Sequence, residues 1–105
     1  MSRKYTYVKN QTSMTIYFSC KNKPNEWVVF PGNTSRHFNH PDEWMKFSID
    51  KKGGGGRVVS DELVVGNDRS TVIVDGQGPD IIEIWRVKYG TLSQKETLLG
   101  YLYYA

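Results

Sequence analysis

The chain has 105 residues, room for one hydrophobic core and not for two. Its 14 Lys and Arg against 11 Asp and Glu leave a formal charge of +3, and the cations form no block, so composition alone identifies no nucleic-acid partner. Alanine occurs once, against 10 valines, 6 isoleucines and 7 threonines, which nearly excludes a helical bundle and favours strands. A single cysteine, Cys20, excludes an intrachain disulfide. The first residues carry no apolar signal segment, and no stretch approaches the ~20 apolar residues of a membrane span. The expectation is therefore cytoplasmic synthesis without membrane insertion, with non-classical export to the cell surface as the alternative. Two triplets fit the glycosylation sequon, Asn10-Gln11-Thr12 and Asn33-Thr34-Ser35, and neither is expected to be used without a secretory route.

Lys4 to Lys9 reads as a first strand, and Asn10-Gln11-Thr12 as a turn. Ser13 to Cys20 alternates most cleanly. Met14, Ile16, Phe18 and Cys20 point inward, with Ser13, Thr15, Tyr17 and Ser19 outward. Lys21 to Glu26 is expected to be a polar loop, Trp27 to Phe30 a short strand and Ser35 to Glu43 irregular. Trp27 and Trp85 are expected in the core. Trp44 to Asp50 is a strand with Met45, Phe47 and Ile49 facing in and Trp44, Lys46 and Ser48 facing out. The glycine run 53–56 predicts a flexible loop.

Arg57 to Val65 reads either as one strand or as a hairpin turning at Ser60-Asp61-Glu62, and Gly66-Asn67-Asp68 as a turn. Thr71 to Val74 has the continuous apolar character of a central strand. Asp75 to Asp80 reads as a glycine-rich loop, Ile81 to Tyr89 and Thr97 to Tyr104 as strands, and Gly90 to Glu96 as a long connection with room for a helical turn. About eight short strands predict an all-β domain spanning 1–105: a single antiparallel β-sandwich of jelly-roll or legume-lectin-like type, with a small barrel as the alternative.

No constellation of catalytic groups stands out. There is no Gly-x-Ser-x-Gly elbow, and Cys20 closes the apolar face of a strand, where an inert thiol is expected. The chain is read as a binding protein and not an enzyme. His37, His40 and Asp42 lie in a segment containing Pro41, whose irregular backbone does not converge them as a helix would, so no metal site is predicted. The glycine run lacks the Lys-Ser/Thr of a phosphate loop. Asp75 to Asp80 lacks EF-hand spacing. Asp75 or Asp80 offers one oxygen ligand, but calcium is not indicated and no cofactor is expected.

Two ligand classes suit what is present. Tyr5, Tyr7, Tyr17, Trp44 and Tyr89 near Lys4, Lys9, Lys46 and Lys88 fit an OB-like barrel that stacks single-stranded bases, although no RNP-type motif is present and nucleic acid is the less favoured partner. Carbohydrate fits better. A sugar ring offers an apolar C–H face and a rim of hydroxyls, which match an aromatic platform beside Asp, Asn and Gln. The loops supply these types in three places: Asn39, Asp42 and Trp44; Asn67 and Asp68; Asp75, Gly76 and Gln77. A module that binds or inhibits a protein partner is the third reading.

In length, lack of disulfides and Val-, Tyr- and Trp-rich strands such as Ser13–Cys20 and Thr71–Val74, the chain resembles the very small hemagglutinins of slime moulds, which form a pared-down legume-lectin-like sandwich. The resemblance implies a lectin that recognises glycans or glycoproteins through Asp, Gly, Asn and an aromatic on separate loops. Asp75, Gly76, Asn67 and Trp44 are the nearest equivalents. The metal-ligand string of legume lectins is not evident. A single shallow sugar site is weak, so several copies are needed for avidity. A tyrosine-rich edge, Tyr5–Val8 or Tyr101–Tyr104, offers a homodimer contact.

Overall fold

The computed structural model describes residues 6–21, 23–38, 44–64, 70–76, 80–87 and 97–105. They form ten strands: β1 (Thr6–Asn10), β2 (Ile16–Cys20), β3 (Lys23–Phe30), β4 (Ser35–Phe38), β5 (Trp44–Asp50), β6 (Arg57–Val59), β7 (Leu63–Val64), β8 (Ser70–Gly76), β9 (Ile81–Val87) and β10 (Thr97–Tyr103). Among the described residues there is no helix. The strands build two separate sheets, β10-β9-β8-β1-β4 and β3-β2-β5-β6, with β7 also pairing β5. Two layers face each other and do not close on themselves, so the fold is a β-sandwich and the barrel alternative is not realised. Pairing is antiparallel except between β1 and β8, which run parallel with Val8 beside Val72 and Asn10 beside Val74.

The core lies between the sheets and follows the period-2 pattern of the strands. One sheet contributes Val8, Val72, Val74, Ile82, Ile84 and Leu102, and the other contributes Ile16, Phe18, Phe30, Met45, Phe47 and Ile49. Phe18 is the hub of the second layer. Its ring meets Phe30 edge-on at 5.8 Å and Phe47 at a tilt at 6.2 Å. Met14 and Cys20 pack at the margin of the core, as the alternation from Met14 to Cys20 requires.

A buried amide joins the two layers. Asn10 ends β1 on the inward face, 1% exposed. Its Nδ2 donates to the carbonyl oxygens of Met14 (2.8 Å), Pro31 (3.2 Å) and Phe30 (3.3 Å), and its Oδ1 accepts from Thr12. This fastens the end of β1 to the start of β2 and the end of β3. With its amide consumed and enclosed, Asn10 is closed to glycan attachment in the folded chain. Gly32 completes the joint, because a Cβ there would lie 2.5 Å from the carbonyl carbon of Ser13.

Several segments differ from the sequence expectation. Lys23 to Glu26, expected as a loop, is the first half of β3. Its exposed position at a sheet edge tolerates Pro24, which has no N–H for an inner ladder. Ser35 to Phe38, expected to be irregular, is β4 and pairs with β1. The ambiguous stretch after Arg57 is neither one strand nor a hairpin. β6 and β7 both pair with β5, and Ser60–Glu62 lie between them. The glycine run is a loop as expected, with Gly53, Gly54 and Gly56 at positive φ, a backbone region that side chains disfavour. Trp27 and Trp85 are half-buried on outer faces and not in the core. β1 lies between β8 and β4, so Thr6 to Val8 of the expected Tyr5–Val8 edge are internal, whereas β10 is an edge; Tyr5 lies outside the described residues. The expected turn at Gly66–Asp68 and the Gly90–Glu96 connection lie outside the described residues.

Candidate functional site

The outer face of the β3-β2-β5-β6 sheet carries the richest set of binding side chains. Since Met45, Phe47 and Ile49 are committed to the core, alternation turns Trp44, Lys46, Ser48 and Asp50 outward on β5. β2 adds Tyr17 and Ser19, β3 adds Trp27 and Val29, and β6 adds Arg57 and Val59. The register sets Ser19 beside Lys46, and Ser48 between Tyr17 and Val59.

This face divides into two ends with different chemistry. At one end Tyr17, Asp50 and Arg57 satisfy one another. Tyr17 Oη donates to Asp50 Oδ2 at 3.1 Å, Arg57 Nε donates to Asp50 Oδ1 at 3.3 Å, and the Arg57 guanidinium stands 3.8 Å over the Tyr17 ring. One ring face of Tyr17 is thereby covered, which removes it as a free stacking platform.

At the other end Trp44 opens β5 and is half-buried, with the Lys46 ammonium 5.6 Å from its ring centre. Such a contact is loose, worth about 0.5–1 kcal/mol at an exposed site, so a ligand can displace it. Beside Lys46 a shallow depression of about 600 Å³ is lined by Val59, Ser60, Asp61 and Glu62. Ser60 is fixed there from both sides. Its N–H donates to the Phe47 carbonyl, and its Oγ accepts from the Phe47 N–H at 2.9 Å and donates to the Asp61 carbonyl. That clamp holds the Asp61 and Glu62 carboxylates exposed next to β5. The Lys46 ammonium thus stands between the Trp44 indole and a depression lined by Asp61 and Glu62.

Between the two ends Ser19 and Ser48 are fully buried, although both point to the outer face, and among the described residues neither hydroxyl has a hydrogen-bond partner.

The residues expected from sequence to form one site are only partly placed together. Asn39, Asp42, Asn67 and Gln77 lie outside the described residues. Trp44 is outward-facing as expected. Asp75 and Gly76 end β8 in the other sheet, half-buried and exposed respectively. They lie at the opposite end of the sandwich from Trp44. Gly76 pairs with Ile82, near Asp80, which bonds Lys52 just beyond the far end of β5. The seven residues of β5 span roughly 20 Å, too far for one sugar ring to bridge. His40 also lies outside the described residues, and among those described no group of three His, Cys, Asp or Glu side chains gathers as a metal site. Sequence reasoning missed Asp61 and Glu62 because it saw them only as a turn. The signal was there in Ser60-Asp61-Glu62, but its position beside Lys46 depends on how β6 and β7 share β5.

No protein-family model, no curated protein and no solved structure matches this chain.

Proposed function

We propose that the chain is a glycan-binding protein, with a sugar ring seated on the outer face of the β5 sheet at Trp44. The carrying observation is the indole of Trp44 displayed beside Lys46 and the depression lined by Ser60, Asp61 and Glu62. The ring stacks its C–H face on the indole. Its hydroxyls donate to the Asp61 and Glu62 carboxylates and accept from the Lys46 ammonium. The charge pattern supports a neutral ligand over a polyanion. Among the described residues of β5, β6 and the Ser60–Glu62 stretch, Lys46 and Arg57 meet Asp50, Asp61 and Glu62, and the Arg57 charge already engages Asp50. A phosphate backbone would meet three carboxylates here, which disfavours single-stranded nucleic acid despite the stacked cations. The resemblance to small hemagglutinins supports the same reading.

An open site of this kind binds a single sugar weakly, on the order of 1 mM, because few groups are desolvated. The test is a glycan array followed by NMR titration of the hit. The expected result is a saturable shift of the Trp44 indole N–H and of the Ser60–Glu62 amides, abolished in Trp44→Ala and insensitive to salt. Binding of oligonucleotides that weakens steeply with salt would replace this reading with the nucleic-acid one. Silence on the array together with unmoved Trp44 resonances would refute it.

A further inference from the structure

The edge strands differ in how they resist further pairing. β3 carries Lys23, Pro24 and Glu26, all exposed, β4 carries an exposed Arg36, and β6 begins with Arg57. Charge and proline are the usual guards of a sheet edge. β10 has neither. From Thr97 to Ala105 there is no charged side chain and no proline, yet Leu98, Tyr101 and Tyr103 are 45%, 65% and 58% exposed.

The backbone of β10 is also poised to pair. Tyr104 N–H donates to the Asp80 carbonyl at 2.8 Å, so this residue pair bonds inward, toward β9. Antiparallel ladders alternate, so the N–H and C=O groups of Tyr103 and Tyr101 point the other way, to the open side. Among the described residues no strand pairs with β10 there.

The geometry points to a second copy of this chain as the occupant, docked antiparallel through β10 about a two-fold axis at Leu102. That axis sets Tyr101 opposite Tyr103 of the second copy, and Tyr103 opposite its Tyr101. All four residues present outward backbone groups, so the two pairs close four hydrogen bonds. Their side chains share the outer face of the sheet, where cross-strand aromatic pairs are favourable. A strand without charge meets itself without repulsion. The same operation on β3 would enclose Lys23 and Glu26 and would lack a donor at Pro24. A groove of about 430 Å³ runs along β10 against β6 and β7, lined by the apolar Val58, Leu63 and Leu99 and by Ser60 and Asp61, and the docked strand lies over its mouth.

The contact is small. Four tyrosines of ~150–250 Å² each, half-covered, contribute on the order of 400 Å², well below the ~1,600 Å² of a standard interface. The dimer is accordingly weak, with a dissociation constant on the order of 100 µM. The pairing itself needs only β10, although the groove beside it shares Ser60 and Asp61 with the depression next to Lys46.

Sedimentation velocity from ~10 µM to ~1 mM, with hydrogen exchange at both ends of that range, tests the pairing. The expected result is a mass that rises toward twice that of the chain. The Tyr101 and Tyr103 amides exchange about 4-fold more slowly at high concentration, while those of β3 are unchanged. Tyr101→Lys guards the edge, and Tyr103→Pro removes an outward donor. Both are expected to stay monomeric with unchanged circular dichroism. If the proline variant does not fold, the lysine variant carries the comparison, since its side chain is exposed. A monomer at ~1 mM, association that leaves Tyr101 and Tyr103 exchange unaltered, or undiminished association of Tyr101→Lys would each overturn the proposal.

Discussion

Asn10 and Thr12 are bonded twice. Asn10 Oδ1 accepts from the Thr12 N–H at 3.0 Å and from the Thr12 hydroxyl at 2.7 Å. The Thr12 hydroxyl is thereby oriented to accept from the Met14 N–H at 3.1 Å. Two residues thus organise the crossing from one sheet to the other, and the Asn10 amide carries the bond network across to Phe30 and Pro31. An asparagine at a strand end is ordinary in sequence, and its weight here comes from burial.

Asn10→Ala is expected to destabilise the fold by about 3 kcal/mol, because it leaves buried acceptors and the Thr12 N–H unpaired. Urea unfolding measures this. A loss below about 1 kcal/mol would mean that water or a backbone shift replaces the amide.

Gly32→Ala and Gly55→Ala are expected to differ sharply. At Gly32 the added carbon meets the backbone of Ser13 and Met14 at 2.5–2.9 Å, so a strand end must move, at a cost of about 2–3 kcal/mol. At Gly55 the nearest neighbour is the flexible end of Lys51 at 3.7 Å, and stability should change by less than about 0.5 kcal/mol. Equal thermal midpoints for the two variants would contradict the close approach.

Ser19→Ala and Ser48→Ala remove buried hydroxyls without partners among the described residues. Deleting an unsatisfied polar group recovers its desolvation penalty. Each variant should be as stable as the parent or more stable, by up to about 1 kcal/mol. Denaturant midpoints decide this, and a marked loss at either position would reveal a hydroxyl bond that forms in solution.

Trp85→Phe separates the two faces. Trp85 stands half-buried on the outer side of the other sheet, its indole N–H donating to Glu83 Oε1 at 3.3 Å. Replacing it should lower stability by no more than about 1 kcal/mol and leave glycan titration at Trp44 unchanged. Loss of glycan binding in this variant would move the site to the opposite layer.

What the chain determines by itself is the all-β character and most inward positions. A strand with one buried face must alternate, so Ile16, Phe18, Met45, Phe47 and Ile49 were readable from spacing, and Trp44, Lys46 and Ser48 were readable as their outward complement. Exposed edge strands were not readable. The first half of β3 and the Ser35–Arg36 start of β4 are exposed and so can be polar, and they look like loops because nothing in them must alternate. The positions of Trp27 and Trp85 were also misread, because indoles are apolar enough for the core and polar enough for an outer face. Tertiary structure alone decided which segments became neighbours. Pairing β6 and β7 along one strand brings Asp61 and Glu62 beside Lys46. The length of β5 holds Trp44 away from Asp75 and Gly76. Register between distant strands is fixed by the packing of both sheets at once, and no local stretch of residues encodes it.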